Sequence, residues 1–158
     1  MQVWLEWLEN TSIALSIRQS LWLYPTLEIV HILGIVLLVG AAFMFDLRLL
    51  GFSKELSVGG LSRHLLPWSQ KGLYLIFPSG ILLFMTNAKS LAINPIFWLK
   101  MGLLVIAGIN VLIFHRFIFN KIIHLEKSHL LPNDAKIAAG VSILVWIAII
   151  ACGRWLAY

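Results

Sequence analysis

Charged residues are scarce in this sequence: they make up 12% of its 158 positions, and only 7 positions are Asp or Glu. A soluble domain typically carries about 25% charged residues. Hydrophobic residues make up 60% of the chain, which excludes both a soluble globular domain and a disordered chain. The composition therefore indicates an integral membrane protein with a single domain.

Cysteine is also scarce, since Cys152 is the only one in the chain. A single thiol excludes an intrachain disulfide, and without a C-x-x-C pair a thiolate metal cluster is not expected. The sequence also lacks the G-x-S-x-G, H-E-x-x-H, Walker and dinucleotide-binding motifs. No standard hydrolase or nucleotide site is therefore predicted, and the sequence does not decide whether the protein is an enzyme.

The net charge of +5 comes from 12 Lys and Arg against 7 Asp and Glu. In a soluble protein this excess would indicate a nucleic-acid partner, but the basic residues are not interleaved with aromatic ones. In a membrane protein, basic loops face the anionic surface of the bilayer. We therefore expect the lipid bilayer, and no nucleic acid, as the partner.

Long apolar stretches are abundant. A membrane-spanning helix needs about 20 predominantly apolar residues, and four segments qualify. We predict an all-α, antiparallel four-helix membrane bundle in one domain, 1–158, with helices joined by short connections packed as neighbours. The predicted membrane helices cover residues 24–45, 65–85, 95–119 and 136–157.

Residues 3–20 have a different pattern, in which apolar positions alternate with polar ones such as Glu6, Glu9 and Arg18. This pattern predicts an N-terminal amphipathic helix lying in the membrane interface. The alternative is a short soluble cap on the bundle. Because the two glutamates stand where a signal peptide would be basic, we expect no cleaved signal.

Basic residues are unevenly distributed between the two ends of the predicted helices. Seven flank the loops after the first and third helices, whereas four lie at the opposite end. Loops that remain in the cytoplasm carry an excess of Lys and Arg. We therefore predict a multi-pass topology with the two basic loops inside and both termini outside the cytoplasm.

Ionisable side chains inside a membrane helix are candidates for function because they are costly to bury there. Glu28, His31 and Asp46 fall on one narrow stripe of the first predicted helix. His31 lies about 10 Å inside the membrane. We predict that it binds haem iron, or a metal ion together with Glu28. A structural histidine bonded to Glu28 or to a helix carbonyl is the alternative.

A second candidate site consists of His64 and His115, which fall near the inner ends of their predicted helices. Adjacent antiparallel helices can offer two such rings to opposite faces of one haem. Arg63 and Arg116 adjoin them in sequence and could neutralise the haem propionates. The alternative is that His64 is solvated and that His115 only hydrogen-bonds a carbonyl or Asp46.

The other polar residues of the predicted helices have structural interpretations. Lys71 either extends toward the cytoplasm or pairs with Asp46. Asn110 is deep and is predicted to form an interhelical hydrogen bond. Arg154 and Glu28 each lie four residues from the outer end of a helix, so we predict that they meet near the outer face.

Motifs over nearly the whole chain resemble those of an uncharacterised family of small bacterial four-helix inner-membrane proteins. They include D-L-R-L-L-G from Asp46 to Gly51 and C-G-R-x-x-A-Y from Cys152 to Tyr158. The resemblance implies the bacterial inner (cytoplasmic) membrane and a four-helix architecture, without a reaction. The residues it marks as important are Glu28, His31, Asp46, Arg48, Asn110, His115 and Arg154.

More distantly, the architecture is similar to copper-resistance membrane domains with helix-borne histidines and to transmembrane b-type cytochromes. Cytochromes of that kind hold haem between histidines of facing helices. Only three histidines of this chain fall in or beside predicted helices, so a two-haem electron pathway is not expected. The similarity implies haem b as the cofactor, with copper or another metal as the alternative.

Three functions follow from these observations. The first is a haem-binding redox protein that transfers electrons to or from a redox partner protein. The second is a carrier for a metal ion or a proton that uses the stripe of Glu28, His31 and Asp46. The third is a non-catalytic membrane subunit whose polar groups are all structural. A homo-oligomer is compatible with each of them.

Overall fold

The computed structural model of the chain describes residues 2–124 and 131–156, and every regular element within them is helical. The predicted all-α class is therefore confirmed for these residues. The predicted end of the last helix at residue 157, like the end of the C-G-R-x-x-A-Y motif, lies outside them. The helices are α1 (Gln2–Glu9), α2 (Ser12–Gln19), α3 (Leu23–Leu50), α4 (Val58–Thr86), α5 (Ala88–Ile93), α6 (Pro95–Ile113), a π-helical turn (Phe114–Ile118), α7 (Phe119–His124) and α8 (Asn133–Trp155).

The N-terminal segment forms two helices, so the prediction of a single helix over residues 3–20 is wrong. Thr11 interrupts it, because its hydroxyl donates to the Leu8 carbonyl (2.8 Å) and accepts from the Ala14 N–H (3.3 Å). A threonine bonded in this way ends one helix and caps the next. The two short helices α1 and α2 both pack against α4.

Helix α1 also contacts α5 through charged side chains. Lys89 forms an ion pair with Glu6, and the Lys89 backbone N–H donates to Oε1 of Glu9 (2.8 Å). The hydrogen bond from Lys89, and then its charge, lower the pKa of Glu6. The same hydrogen bond raises the pKa of Lys89. Because both side chains are exposed, water screens the attraction between them.

Helices α3 and α4 are longer than predicted, so the loop between them is short. α3 continues past residue 45 to Leu50 and ends at Gly51, whose φ of +106° is a left-handed conformation that suits glycine. α4 begins at Val58 instead of residue 65, because the Ser57 hydroxyl caps it by accepting from the Gly60 N–H (3.0 Å). Positions that the sequence pattern assigns to a loop, including Asp46, therefore lie within helices.

The third predicted helix, 95–119, consists of α6, the π-helical turn and the start of α7. Asn94 caps α6 by accepting from the Ile96 N–H (2.9 Å), and Pro95 occupies the first helical position, where it costs no hydrogen bond. The π-helical turn, which the sequence pattern did not predict, widens the helix by one residue per turn. α8 begins at Asn133, before its predicted start at residue 136.

The four long helices pack in the order α4, α3, α8, α6. No Cα atom of α4 comes within 8 Å of one in α6, so the prediction that successive helices are neighbours is wrong for this pair. The rings of Phe84 and Phe97 stack between them with centroids 5.4 Å apart. We call this gap between α4 and α6 the open side of the bundle.

Three helices are long and apolar enough to cross a membrane: Leu23–Leu50, Pro95–Ile122 and Asn133–Trp155. This supports a membrane protein. α4 has 29 residues but is not among them, since its first half carries polar residues such as Arg63, Gln70 and Lys71. A fourth membrane span therefore remains a prediction.

Two glycines allow α3 and α4 to approach closely. A Cβ atom on Gly72 would lie 2.7 Å from the carbonyl oxygen of Gly34, which is too close for any side chain. Two apolar clusters fill the bundle elsewhere. We call one the middle layer, formed by Ala107, Trp146 and Ile149 with Leu38, Val39, Ala42, Leu103 and Val145. We call the other the inner cluster, which includes Leu49, Val58, Phe114, Ile118 and Ile122.

Candidate functional site

His31 is half-buried on α3 and faces α4. Its Nδ1 lies 2.9 Å from Oγ of Ser79, whose hydroxyl donates to the Leu75 carbonyl (2.5 Å). A serine hydroxyl has one hydrogen, so Ser79 can only accept from the imidazole. Nδ1 of His31 therefore carries the proton.

The position of this proton determines what the other ring nitrogen can do. The assignment of the proton to Nδ1 follows from the hydrogen bond that the Ser79 hydroxyl gives to the Leu75 carbonyl. Nε2 of the neutral imidazole is then left with a free lone pair. Histidines that bind metals generally have this arrangement, with one nitrogen donating to an acceptor and the other free for the metal.

The His31 ring packs directly on the backbone of α4. A Cβ atom on Gly80 would lie 3.1 Å from Cε1 of His31 and 3.6 Å from its Nδ1. A larger residue at position 80 would require the ring to shift by a few tenths of an ångström. Gly80 therefore lets the imidazole lie against the backbone of α4.

Lys100 brings a positive charge to the same half of the bundle. It is half-buried on α6, and its Nζ lies 3.8 Å from where a Cβ of Gly153 would be. Its charge acts on His31, although α3 and α6 are not adjacent. No carboxylate that the structure describes lies within 4.0 Å of this ammonium. We call His31, Ser79, Gly80, Lys100 and Gly153 the outer site.

Glu28 lies apart from the outer site. Its side chain is exposed beside the Tyr24 hydroxyl, on the same helix. Glu28 and Arg154 form no ion pair with each other, and the ion pair within residues 2–124 and 131–156 is Glu6–Lys89. That the two residues meet or approach near the outer face stays a prediction. Matching depth in the membrane does not make two side chains point toward each other, because each helix also has its own rotation. Glu28 and His31 belong to no cluster of three or more metal-binding side chains among the described residues.

Asp46 is buried on the side of α3 that faces α8. Only 7% of its surface is exposed, and the hydroxyl of the buried Ser142 interacts with its carboxyl group. Its Oδ2 atom has no hydrogen-bond partner. Asp46 and His31 therefore contact different helices, and the predicted stripe does not converge on one site.

The middle layer separates His31 from Asp46. The two residues are about 22 Å apart along the axis of α3, as the rise of an α-helix requires. Apolar side chains of α3, α6 and α8 meet between these positions, at Leu38, Ala107 and Trp146 among others. The described residues thus provide no continuous polar path between the two groups.

His64 and His115, the predicted inner pair, are both exposed. Nδ1 of His115 hydrogen-bonds the Val111 carbonyl (3.1 Å), and its ring stacks on Phe119 with centroids 5.4 Å apart. The carbonyl hydrogen bond that the alternative predicts for His115 is therefore present, and that His115 has no further role stays a prediction. For His64 the described part of the chain contains no hydrogen bond or ring contact.

The two arginines beside these histidines also lie apart. Arg63 lines a groove of 530 Å³ between the start of α4 and Phe119 of α7. Arg116 is exposed on the π-helical turn. The helices that carry the two arginines, α4 and the π-helical turn, are not adjacent. The structure therefore does not assemble His64, His115 and their arginines into one interior site.

Three further candidates have structural contacts. Asn110 donates to the Ala138 carbonyl of α8 (3.0 Å), which confirms the predicted interhelical hydrogen bond. Arg48 donates to the Leu56 carbonyl (2.6 Å), and so holds the loop between α3 and α4. Lys71 does not pair with Asp46; its Nζ lies 4.3 Å from the centre of the Trp68 ring, a cation–π contact.

Sequence reasoning identified His31 but missed three other members of the outer site. Ser79 and Gly80 follow Pro78 within the second predicted helix, and a serine next to a glycine inside a membrane helix is a common packing signal that could have found them. Lys100 was counted only as one of the basic residues at the outer end. Its position one turn inside the apolar α6 was the signal that could have found it.

Comparison with known proteins gives a family but no function. The family of unknown function DUF6644 matches residues 4–158, so the chain belongs to that family. No curated protein matches the chain. No solved structure matches it either.

Proposed function

We propose that the chain is an integral membrane protein that binds haem b in the outer half of its bundle, with His31 as an axial ligand, and that it transfers electrons. The observation that carries this proposal is the tautomer of His31. Its Nδ1 donates to Ser79, which leaves Nε2 free to bind iron. Bound haem would supply the one-electron chemistry that the protein side chains lack.

The surroundings of His31 suit a haem in two respects. First, the backbones of α4 and α6 are separated at the open side, where the Phe84 and Phe97 side chains bridge them. His31 and Lys100 lie in the same half of the bundle as these two rings. Second, Lys100 has no carboxylate within ion-pair distance among the described residues. A buried ammonium needs an anion, and a haem propionate is one.

The proposal includes the membrane arrangement. α4 serves as the fourth span, because its 29 residues exceed the length that a bilayer requires. The loop Gly51–Ser57 and the connection between α7 and α8 face the cytoplasm of a bacterial cell, where basic loops remain. Both ends of the chain then lie outside, and α1 and α2 lie at the outer interface.

The carrier function is less well supported by this geometry. A metal ion or proton moving along Glu28, His31 and Asp46 would need polar groups between them. The middle layer places apolar side chains there instead. Glu28 is exposed and contacts neither of the other two residues.

The proposed function is tested by the visible spectrum of protein expressed with an excess haem supply and purified in detergent. We expect a Soret band in the parent protein and in the His64→Ala and His115→Ala variants. The His31→Ala variant should lose the band, since it lacks the proposed iron ligand. The two exposed histidines serve as matched controls for the removal of an imidazole.

Two outcomes contradict the proposal. If the parent shows no Soret band after this expression, the haem function fails and a non-catalytic subunit is favoured. If His31→Ala keeps the parent spectrum while His115→Ala or His64→Ala loses it, haem is held at the inner end instead. Elemental analysis of the same samples for copper and iron tests the alternative that His31 binds a metal ion without porphyrin.

A further inference from the structure

Asp46 is a buried carboxyl group with an unsatisfied atom in the inner half of the bundle. It is 93% buried by surface area, as its 7% exposure shows, and its Oδ2 lacks any hydrogen-bond partner. Apolar groups lie on both sides along α3: the middle layer toward the outer end and Leu49 of the inner cluster toward the other. A polar atom enclosed in this way usually has a partner, so the missing one needs an explanation.

Within residues 2–124 and 131–156, Asp46 forms no ion pair with a basic side chain. On α3 itself, the Arg48 guanidinium is bonded to the carbonyls of Lys54 and Leu56. On α8, the nearby polar group is the uncharged Ser142. The amide of Asn110 on α6 is bonded to Ala138. The basic residues of α4 and α8 are exposed: Arg63, His64, Lys71, Lys136 and Arg154. His115 and Arg116 of the π-helical turn, whose Phe114 contacts Phe45 of α3, are exposed as well.

An ionised carboxylate without a counter-ion is very unfavourable in such surroundings. Moving one into a medium of low dielectric costs many kcal/mol, and groups in that position generally become neutral instead. A carboxylate becomes neutral by binding a proton.

We propose that Asp46 and Ser142 form a proton-binding site in the inner half of the bundle. The site holds one proton on Asp46 at neutral pH, and the Ser142 hydroxyl interacts with the protonated carboxyl group. It is separated from His31 by the middle layer, so it does not depend on the proposed haem. A monovalent metal ion such as Na⁺ is the competing occupant, because a carboxylate and a hydroxyl also suit it.

The test is infrared spectroscopy of the purified, haem-free protein in detergent at neutral pH, in the carbonyl region of protonated carboxylic acids. We expect a carboxylic-acid band in the parent that is lost in Asp46→Asn. The band should persist in Asp134→Asn, which removes an exposed carboxyl group at the start of α8. It should also persist when NaCl replaces a salt of a bulky organic cation.

A second variant keeps the test independent of how well Asp46→Asn folds. Ser142→Ala removes the interacting hydroxyl, so the band should remain but shift to the higher frequency of a less hydrogen-bonded acid. Two results overturn the proposal. The first is that the parent and Asp46→Asn show the same carboxylic-acid bands, which means that Asp46 is ionised in the parent. The second is loss of the Asp46 band on addition of NaCl, which means that Na⁺ occupies the site.

Discussion

Glycines of this bundle differ in what surrounds them, although most lie within helices. A Cβ atom on Gly72 would lie 2.7 Å from both the carbonyl oxygen of Gly34 and the backbone nitrogen of Leu38. Around Gly108 of α6, by contrast, no atom lies within 4 Å of such a Cβ. A Gly→Ala substitution at each of the two positions therefore separates the effect of helix packing on stability from the effect of helix propensity.

We expect Gly72→Ala to destabilise the protein by about 1–3 kcal/mol, as overpacking of a closed interface does. The obstructing atoms belong to the backbone of α3, so the two helices must move apart. Gly108→Ala should leave stability unchanged or raise it, by up to about 1 kcal/mol, because alanine is the better helix former. Denaturant unfolding in one detergent measures both, and equal effects at the two positions would contradict the close contact of α3 and α4.

The cost of burying an ionisable group made His31 and Asp46 identifiable from the sequence, because it applies to any membrane helix. The partners of these residues were not identifiable. Ser79 lies 48 positions from His31 along the chain, and Ser142 contacts Asp46 from the last helix. Serine is common inside membrane helices, so only the rotation and pairing of the helices decide which serine meets which ionisable group.

The contact of α1 with α5 depends on charge and therefore on pH. Glu6 has a pKa below its ordinary value, because of the hydrogen bond and charge of Lys89. Its contribution to stability is present above the unfolded pKa and is lost as the pH falls through the folded one. Lys89 has a raised pKa, so its contribution is present at lower pH and is lost as the pH rises through that raised value.

We therefore expect the amides of α1 to be best protected from hydrogen exchange at pH values between the pKa of Glu6 and the pKa of Lys89. Protection should fall at lower and at higher pH. The Glu6→Gln variant should show weaker protection in the middle range and little dependence on pH. Glu55→Gln, which removes an exposed carboxyl group in the loop after α3, is the control and should resemble the parent. A flat pH profile in the parent would show that the charged pair does not hold α1.

The existence of the helices was predicted well, but their limits were not. The charged residues of D-L-R-L-L-G were read as the end of the first span, yet α3 continues through them to Leu50. Asp46 is accommodated by burial against α8, and Arg48 turns back to bond the following loop. The partner helix of Asp46 is distant in sequence, and hydropathy does not reveal that Arg48 bonds carbonyls of the following loop, so the hydropathy pattern indicates solvent exposure for both charges.

The packing order of the helices, α4, α3, α8, α6, could not be predicted from the sequence either. Short connections suggest that successive helices are neighbours, and α3 with α4 follows that rule. α4 and α6 do not, although only α5 lies between them. The glycines of α3 and α4, and the contact of Asn110 with Ala138 between α6 and α8, favour other pairings.

The orientation of the whole bundle can be checked by cysteine labelling, starting from a variant in which the buried Cys152 is replaced by alanine. Lys54→Cys places a thiol in the loop between α3 and α4, and Ser90→Cys places one on exposed α5. In intact spheroplasts, we expect a membrane-impermeant maleimide to react with the cysteine at position 90 and not at position 54. Both should react after permeabilisation. The opposite pattern in intact cells would invert the topology.

The π-helical turn allows one membrane span to change its packing partner along its length. Before the turn, α6 packs on α8; after it, α7 contacts α4, and Phe119 lines the groove beside Arg63. The additional residue in the turn moves every later side chain about 100° around the axis relative to an unbroken helix. We expect deletion of one residue there to turn Phe119 away from α4 by the same angle. The insertion therefore adds a contact with α4 at the inner end of the span, in addition to the Phe84–Phe97 stack near its other end.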